Sequence, residues 1–393
     1  MVRWQEGQAP PPMATDARQA LFDLLEAAVQ EAVFPGCVAL VSKGDAVVYH
    51  EGHGTLGSHP AFVDRFQPVA RDTAYDLASL TKVLATTTLT AIAVASGKLE
   101  LDAPVPEPWS RACPGATLVD LLEHAAGLVA HREYFTEVAP FDADAVLARV
   151  CATPPASPPR ERAVYSDLGF MILGAWLERI WDAPLDLAFV AKLTYPLYLD
   201  QGDPPALFYR RLEGETPLPS ALERRIAPTE VYDAALHPSG VPSHFAVRAH
   251  AGVAHGSVHD DNAYVMGGVA GHAGLFGTAI GVHELANAWL QLRLPHAAGA
   301  LRERFWQPST VPGSTRRLGW DGAAPDGSGA TGHALGAHAV GHTGFTGTSL
   351  WIDPATPGGP LVCVLLANRV HPTRDNDAIK SLRQRFNASA ARL

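Results

Sequence analysis

A serine and a lysine three positions apart, Ser79 and Lys82, are the residues of this chain with the clearest capacity for chemistry. They stand at the start of an apolar segment, residues 80–96, which predicts a helix. Residues three apart share one face of a helix, so the lysine amine would lie beside the serine hydroxyl. A neighbouring base makes a serine nucleophilic, and the N–H groups of a first helical turn favour developing negative charge. The pair therefore predicts a nucleophile with its base; an ordinary helix N-cap is the alternative for Ser79.

The composition of the chain excludes several classes of function. Its 393 residues, 47% hydrophobic and 18% charged, are typical of a globular protein with two or three domain-sized units rather than of a disordered chain. The formal net charge is −10 and no basic run occurs, so neither nucleic acid nor an anionic membrane surface is an expected partner. No stretch of about 18 apolar residues is present, so no membrane span is expected.

The start of the chain and its cysteines predict a cytoplasmic location. The first residues lack a basic region followed by an apolar core, which is the pattern of a secretory signal. Residues 1–15, with three consecutive prolines, are predicted to form a disordered lead-in. Cys37, Cys113, Cys151 and Cys363 are widely spaced and form no C-x-x-C pair, so we expect free thiols in a reducing compartment.

The elements that must position the serine and lysine can be read from the hydrophobic periodicity. The predicted elements at the two ends are a helix over residues 16–32 capped by Asp16, hairpins of residues 37–42 with 46–50 and of residues 341–352 with 361–367, and a closing helix over residues 377–392. Short helices are predicted between them, at residues 117–124, 142–150, 171–180 and 282–294.

We therefore predict an α+β fold, with an antiparallel sheet flanked by the N- and C-terminal helices and an inserted, mainly helical lobe. The predicted sheet lobe consists of residues 16–78 and 315–393, and the helical lobe with active-site loops spans residues 79–314. A site is expected in the cleft between the two lobes, where concave pockets tend to form.

Two short motifs downstream give the serine and lysine a context: Tyr165-Ser166-Asp167 and His342-Thr343-Gly344. Taken singly, each also fits an ordinary buried tyrosine or a strand and its turn. In their order along the chain, the three motifs resemble the serine β-lactamase and penicillin-binding-protein superfamily. The similar branch is that of class C β-lactamases and D-Ala-D-Ala carboxypeptidases, whose members carry S-x-x-K, Y-x-N and K/H-T-G. Residues 120–128 and 268–276 are also similar to this branch, and the resemblance extends from about residue 20 to the C-terminus.

This resemblance implies a β-lactamase/transpeptidase-like fold and a cofactor-free serine hydrolase that acts on a small molecule or a peptide. Ser79 would be the acylated nucleophile, Lys82 its proton partner, and Tyr165 the relay that protonates the leaving group. The oxyanion would bind the backbone N–H groups of Ser79 and Phe345. The implied catalytic set is thus Ser79, Lys82, Tyr165 and His342, and the implied substrate-binding set is Asp167, Thr343, Gly344 and Phe345. We also expect the loop of residues 252–277 to form one wall of the cleft, with His259 close to substrate.

Two positions depart from the pattern of the branch. Asp167 replaces the usual asparagine; an ionised carboxylate only accepts hydrogen bonds, and it would hold Lys82 as an ammonium. His342 replaces the usual lysine, and an imidazole that titrates near pH 6 to 7 would hold a substrate carboxylate poorly. Both changes favour a carboxypeptidase, muropeptide amidase or esterase over a β-lactamase. The natural substrate and the oligomeric state stay open.

Three other functions were compared with the sequence: a metallohydrolase, a penicillin-binding sensor and an α/β-hydrolase. A metallohydrolase could use the histidines and aspartates between residues 250 and 272, but the chain contains no H-E-x-x-H motif. The members of that group are His250, His255, His259, Asp260, Asp261 and His272. A penicillin-binding sensor that is acylated without turnover remains an alternative. An α/β-hydrolase is excluded, because no G-x-S-x-G motif occurs.

Overall fold

Strands from both ends of the chain form the main sheet of the molecule. A computed structural model describes residues 12–60, 67–200, 205–212, 224–236, 240–248 and 252–393. Its strands are β1 (Gly36–Lys43), β2 (Ala46–Gly54), β3 (Tyr75–Asp76), β4 (Leu207–Tyr209), β5 (Leu275–Gly277), β6 (Asp321–Gly322), β7 (Val340–Thr343), β8 (Ser349–Asp353) and β9 (Leu361–Ala367). Six of them pair antiparallel in the order β2-β1-β9-β8-β7-β6, and β3-β5-β4 form a smaller sheet. The predicted α+β fold is confirmed.

The helices surround the main sheet and fill the middle of the chain. The α-helices are α1 (Pro12–Gln30), α2 (Thr88–Ala95), α3 (Leu118–Leu122), α4 (Ala143–Ala152), α5 (Asp167–Trp181), α6 (Leu185–Phe189), α7 (Phe245–Arg248), α8 (Asp261–Val265), α9 (Ala279–Leu290), α10 (Arg302–Trp306) and α11 (Ile379–Ala390). A π-helix, Lys82–Thr87, leads directly into α2, and Val190–Thr194 forms a second one after α6. Turns of 3₁₀-helix occur at Trp109–Arg111, Tyr134–Thr136, Ala234–Leu236 and Pro295–Leu301. Within the described ranges, no helix combines the length and the apolar character that crossing a bilayer requires.

The first hairpin shows how the sequence sets the register of the sheet. Gly44 lies in the turn between β1 and β2 at φ +58°, a conformation that glycine adopts without steric cost. Seven of the eight residues of β1 are buried, because this strand lies between β2 and β9. Its pairing with β9 places Cys37 opposite Ala367 and so joins the two ends of the chain.

Each face of the main sheet packs against its own set of helices. On one face, α1 and α11 contribute Leu21, Leu25 and Phe386 to a cluster that includes Trp351 of β8. The other face contributes residues such as Val364 to the larger core of the helical region. Burying one such leucine or phenylalanine side chain stabilises the fold by about 1.5–3 kcal/mol, so α1 and α11 are firmly held against the sheet.

The boundaries of three predicted elements were wrong. Helix α1 begins at Pro12, so Asp16 is not its cap; proline fits a first turn because its missing N–H has no helical partner there. Residues 1–11 of the predicted lead-in lie outside the described residues. The segment predicted as residues 80–96 is a π-helix followed by α2. The second predicted hairpin is a set of three strands, because a turn separates β7 from β8. The lobe boundaries at residues 78/79 and 314/315 stay a prediction.

Candidate active site

The turn that carries Ser79 lies between β3 and the π-helix. Ala78 adopts a left-handed conformation at φ +46°, which is unfavourable for a residue with a side chain. The Oδ1 atom of Asp76 accepts a hydrogen bond from the Ala78 N–H at 2.8 Å and holds this conformation. The Lys82 N–H then donates to the Ser79 carbonyl at 3.1 Å, so a tight turn brings the two side chains to the same side.

The Lys82 amine lies at the base of the site, fully buried. Its Nζ atom contacts Ser79 Oγ at 2.9 Å, Asp167 Oδ1 at 2.8 Å and the His272 carbonyl oxygen at 3.2 Å. An ammonium has three N–H donors, and three acceptors surround this nitrogen. The arrangement therefore suits a protonated lysine.

The charges of Lys82 and Asp167 support each other. Burial alone would lower the pKa of Lys82, but the Asp167 carboxylate and the Tyr165 side chain outweigh burial and raise this pKa above its ordinary value. Burial would raise the pKa of Asp167, but Lys82 and a hydrogen bond with His131 hold this pKa well below its usual range. The His131 Nδ1 atom lies 3.1 Å from Asp167 Oδ2. The pair is therefore ionic at neutral pH.

Tyr165 is held in place by the residues that precede α5. The Ser166 N–H donates to His124 Nδ1 at 3.0 Å, and the Ser166 hydroxyl donates to the Val129 carbonyl at 2.7 Å. The Tyr165 ring then lies with its centroid 4.9 Å from Lys82 Nζ. A second cation, the Arg316 guanidinium, lies with its Cζ atom 5.0 Å from the same centroid. The Tyr165 ring is thus flanked by two cations.

His342 lies on β7 beside Tyr165, with the two ring centroids 5.6 Å apart. Its Nδ1 atom is 2.8 Å from the Thr343 carbonyl oxygen, which can only accept, so Nδ1 donates. Burial, aided by the nearby cations Arg316 and Lys82, lowers the pKa of His342 to about 3. The imidazole is therefore neutral at physiological pH. The prediction that it titrates near pH 6 to 7 was wrong, because the sequence does not show this burial.

The turn between β7 and β8 is bound to the segment that carries Ser79. The Thr348 hydroxyl donates to the Leu77 carbonyl at 3.0 Å, and the Thr346 hydroxyl donates to the Asp76 carbonyl at 2.7 Å. A Cβ atom at Gly344 would lie 2.0 Å from Thr348 Oγ1 and 2.6 Å from the Leu77 oxygen, so this position requires glycine. The close approach brings Phe345, the first residue of the turn, next to the nucleophile segment.

Two backbone N–H groups of the site are available for a ligand. Neither the Ser79 N–H nor the Phe345 N–H donates a hydrogen bond to any acceptor in the described part of the chain. The two residues lie on segments that the threonine hydrogen bonds hold together, and both line the same cavity. These are the two groups that the sequence predicted for the oxyanion.

The Phe345 side chain is half exposed and packs on His259. The two rings are stacked with centroids 5.6 Å apart, and the Arg369 Cζ atom lies 4.3 Å from the phenylalanine centroid. His259 itself is buried, and its Nε2 atom lies 3.1 Å from a carboxylate oxygen of Glu230. Its backbone N–H donates to Oδ2 of Asp76 at 2.5 Å. His259 thus supports Phe345 from behind, and its predicted contact with substrate stays a prediction.

A cavity of about 580 Å³ joins these groups. Its lining includes the predicted residues Ser79, Tyr165, Asp167, His259, His342, Thr343, Gly344 and Phe345. Lys82 lies beneath Ser79, so the structure brings together every site residue that the sequence predicted. The cavity is large enough for a small ligand or a short peptide segment.

Sequence reasoning missed His131, Arg316 and Asp76. His131 belongs to no motif, and Arg316 lies in residues 297–339, for which the sequence predicts Gly, Pro and Ser turns with one or two short strands and no motif. Asp76 stands three residues before Ser79, where its polar side chain next to an apolar run was the one available signal.

The residues proposed for a metal site have protein partners instead. His255 Nε2 contacts the Ile226 carbonyl, His272 Nε2 contacts Asp260, and Asp261 is paired with Arg248. His250 lies outside the described residues. Within the described ranges, no group of three or more histidine, cysteine, aspartate or glutamate side chains is arranged to hold a metal ion.

Comparison with known proteins places this geometry in a family. The Beta-lactamase family model matches residues 21–386. The chain belongs to the beta-lactamase family. This assignment makes it a serine hydrolase at the family level and confirms the resemblance found in the sequence motifs.

One named relative and two solved structures are similar to this chain. A protein from Salmonella gallinarum named "Putative D-alanyl-D-alanine carboxypeptidase" is 29% identical over 379 residues, covering 87% of this chain and 80% of that protein. A class C beta lactamase structure matches with a TM-score of 0.69 at 16% identity, covering 97% of this chain and 99% of that one. A penicillin-binding protein homolog from Caulobacter crescentus matches with a TM-score of 0.66 at 20% identity, covering 98% of each chain. At these identities, the structural matches show the fold alone.

Proposed function

We propose that this chain hydrolyses ester or amide bonds through an acyl-enzyme on Ser79 and acts as a carboxypeptidase on peptides that end in D-alanyl-D-alanine. The observation that carries the proposal is the 2.9 Å contact between Ser79 Oγ and Lys82 Nζ on the wall of the cavity. The Salmonella relatives named as carboxypeptidases point to the same substrate class.

The chemistry begins with Ser79, whose Oγ atom attacks the substrate carbonyl carbon. Because Asp167 holds Lys82 as an ammonium, Lys82 donates to its neighbours, and Tyr165 starts as the phenolate and takes the serine proton. The carbonyl oxygen becomes an anion and binds the N–H groups of Ser79 and Phe345. When the tetrahedral species collapses, the scissile C–N or C–O bond breaks and Tyr165 gives its proton to the leaving group.

Water then completes the turnover by the same route in reverse. A water molecule loses a proton to Tyr165 and attacks the acyl carbon, and the ester bond to Ser79 breaks. The serine oxygen regains the proton from Tyr165, so the enzyme returns to its starting state. An acyl-enzyme that forms without this second stage would make the chain a penicillin-binding sensor.

The leaving group lies on the side of Tyr165, because this residue protonates it. The groups around that side are neutral His342 and cationic Arg316. A peptide leaving group that ends in a carboxylate would find its charge partner in Arg316, which forms an ion pair with Asp321 at 3.4 Å and retains further N–H donors. Arg316 thus supplies the positive charge that histidine at position 342 does not.

Asp167 disfavours a β-lactamase activity. A carboxylate cannot donate a hydrogen bond to an acyl carbonyl oxygen, whereas the amide of an asparagine can. Its two oxygens are already engaged by Lys82 and His131. β-Lactams are therefore expected to acylate Ser79 more slowly than D-alanyl-D-alanine peptides or simple esters do.

The decisive test replaces the nucleophile. Ser79→Ala should lower hydrolysis of D-alanyl-D-alanine peptides and p-nitrophenyl esters by at least about a thousandfold, since covalent catalysis is lost. Intact-mass measurement with a fluorophosphonate should show one adduct on the wild type, on the peptide that contains Ser79. Ser96→Ala is the matched control, because this serine only donates to the Ile92 carbonyl within its own helix. Retained activity in Ser79→Ala, or an adduct on another residue, would falsify the proposal.

A further inference from the structure

Arg383 reaches from α11 into the interior beneath the turn between β7 and β8. The side chain is buried, with 8% of the residue exposed. Its Nη2 atom donates to the Gly344 carbonyl at 2.7 Å and to the Thr348 carbonyl at 2.8 Å. Within the described part of the chain it has no carboxylate partner. Burial, with a smaller contribution from the nearby Arg369, lowers the pKa of this guanidinium to about 9, so it is still a cation at neutral pH.

The Gly344 carbonyl and the Phe345 N–H belong to one peptide group. Hydrogen bonds polarise one another through an amide, so a donor at the oxygen makes the N–H of the same amide a stronger donor. A charged donor such as a guanidinium has a larger effect than a neutral one. Arg383 therefore acts on the very N–H group that lies free at the oxyanion position.

The neighbouring guanidinium of Arg369 contacts a different amide and is partly compensated by a carboxylate. Arg369 donates through Nε to the Phe345 carbonyl at 2.8 Å, and this carbonyl belongs to the next amide along the chain, whose N–H is that of Thr346. Arg369 also lies 3.8 Å from a carboxylate oxygen of Asp377. The other predicted oxyanion donor, the Ser79 N–H, shares its amide with the Ala78 carbonyl, which accepts from the neutral Thr81 N–H at 3.0 Å. Of the two amides that carry the predicted oxyanion donors, the Gly344–Phe345 amide alone receives a charged donor within the described residues.

We propose that Arg383 is a positioning residue that polarises the Gly344–Phe345 amide and strengthens the Phe345 N–H as an oxyanion donor. The inference rests on the proposed function, because it requires an oxyanion on an acyl group attached to Ser79. The same two hydrogen bonds close the turn, so Arg383 fixes the direction of the N–H as well as its strength. The hydrogen bond from the Phe345 N–H to the substrate oxygen should strengthen as negative charge develops on that oxygen. It therefore favours the transition state over the bound substrate.

The test compares Arg383→Met, which has no donor, with Arg383→Lys, which keeps a cation. Removing a whole oxyanion donor slows catalysis by about 100- to 1,000-fold, so weakening one should slow acylation by about tenfold in Arg383→Met. KM should change little. The infrared stretch of the acyl-enzyme carbonyl, formed with a slowly hydrolysed ester, should move to higher wavenumber because the carbonyl is less polarised. Arg383→Lys should give intermediate values of both rate and wavenumber.

A matched control and the contrary outcomes make the result clear. Arg302→Gln removes another guanidinium that donates to a main-chain carbonyl, that of Leu290, away from the cavity, and should leave acylation and wavenumber unchanged. An Arg383→Met protein that acylates at the wild-type rate with an unshifted carbonyl overturns the proposal, even if its thermal midpoint falls. If Arg383→Met does not fold, an unshifted Arg383→Lys acyl-enzyme overturns it. Failure of the proposed function is separate, because the wild type would then form no adduct on Ser79.

Discussion

Two buried cations flank the nucleophile, and their surroundings differ. Lys82 faces the Asp167 carboxylate at 2.8 Å, whereas Arg383 faces only the carbonyl oxygens of Gly344 and Thr348. Charge is thus compensated on the side of Ser79 where a proton must move. It is left uncompensated on the side where an oxyanion must form. The difference suggests that the Lys82–Asp167 pair fixes the protonation state of the lysine. Arg383, in contrast, supplies an uncompensated positive charge that stabilises the oxyanion.

Removing the carboxylate that compensates the charge of Lys82 should have the largest effect on activity. In Asp167→Asn, the carboxylate that contributes most to raising the pKa of Lys82 is lost, so this pKa falls and the amine becomes neutral at lower pH. A neutral Lys82 can then take the serine proton in place of Tyr165, so the acid limb of kcat/KM against pH should move down by about one to three units, which is a ten- to thousandfold gain below the limb. Acylation by nitrocefin should rise as well, because the asparagine amide can donate to the acyl carbonyl.

The control for this variant is Asp353→Asn, which alters another buried carboxylate that accepts from a backbone N–H, at Gly336, away from the cavity. Its pH profile should match that of the wild type. An unmoved acid limb in Asp167→Asn would show that the charge on Lys82 does not govern the reaction and would remove the contrast between the two cations.

The cation on the leaving-group side can be tested with two substrates. Arg316→Gln should raise KM for D-alanyl-D-alanine peptides by about 10- to 100-fold, because a charge-assisted hydrogen bond contributes about 1.5–3 kcal/mol. Hydrolysis of p-nitrophenyl esters, whose leaving group carries no carboxylate, should change much less. Steady-state kinetics on both substrates separates the two. Equal losses would mean that Arg316 acts on the Tyr165 phenol and not on the substrate carboxylate.

The burial of His342 should affect stability at acid pH rather than activity. The pKa of His342 is lowered to about 3, so below pH 6.5 the unfolded chain binds a proton that the folded chain refuses. The free energy of unfolding should therefore fall as pH drops from 6.5 towards 3, by about 1.4 kcal/mol per pH unit for this residue. His342→Gln should remove that contribution. Urea denaturation at pH 7, 6, 5 and 4 measures it, and parallel curves for the two proteins would show that His342 is protonated in the folded state.

The terminal sheet and the motif residues could be predicted because their signals are local. The turn of residues 43–45 between two apolar runs is sufficient to predict the first hairpin, and the pairing of β1 with β9 follows the apolar character of both strands. The resemblance of the three ordered motifs to a known family was sufficient to predict that Ser79, Tyr165 and His342 lie in one site, and all three line the cavity.

The remaining features depend on contacts between distant segments. Arg383 looks like an ordinary polar position of an amphipathic helix, and its burial follows only from its contact with Gly344, 39 residues earlier. The titration of His342 depends on burial and on Arg316, which no periodicity places beside it. The start of α1 at Pro12 was missed because a run of prolines is also typical of disorder.

Asp76 joins three segments that are far apart in the chain. Its carboxylate accepts from the N–H groups of Ala78 and His259, 183 residues later, and its carbonyl accepts from the Thr346 hydroxyl, 270 residues later. The strained backbone that presents the serine is therefore secured only when all three segments have docked. Hydrolytic activity should therefore appear last during refolding. A protease cut that releases the loop around His259 should abolish activity although the segment that carries Ser79 stays intact.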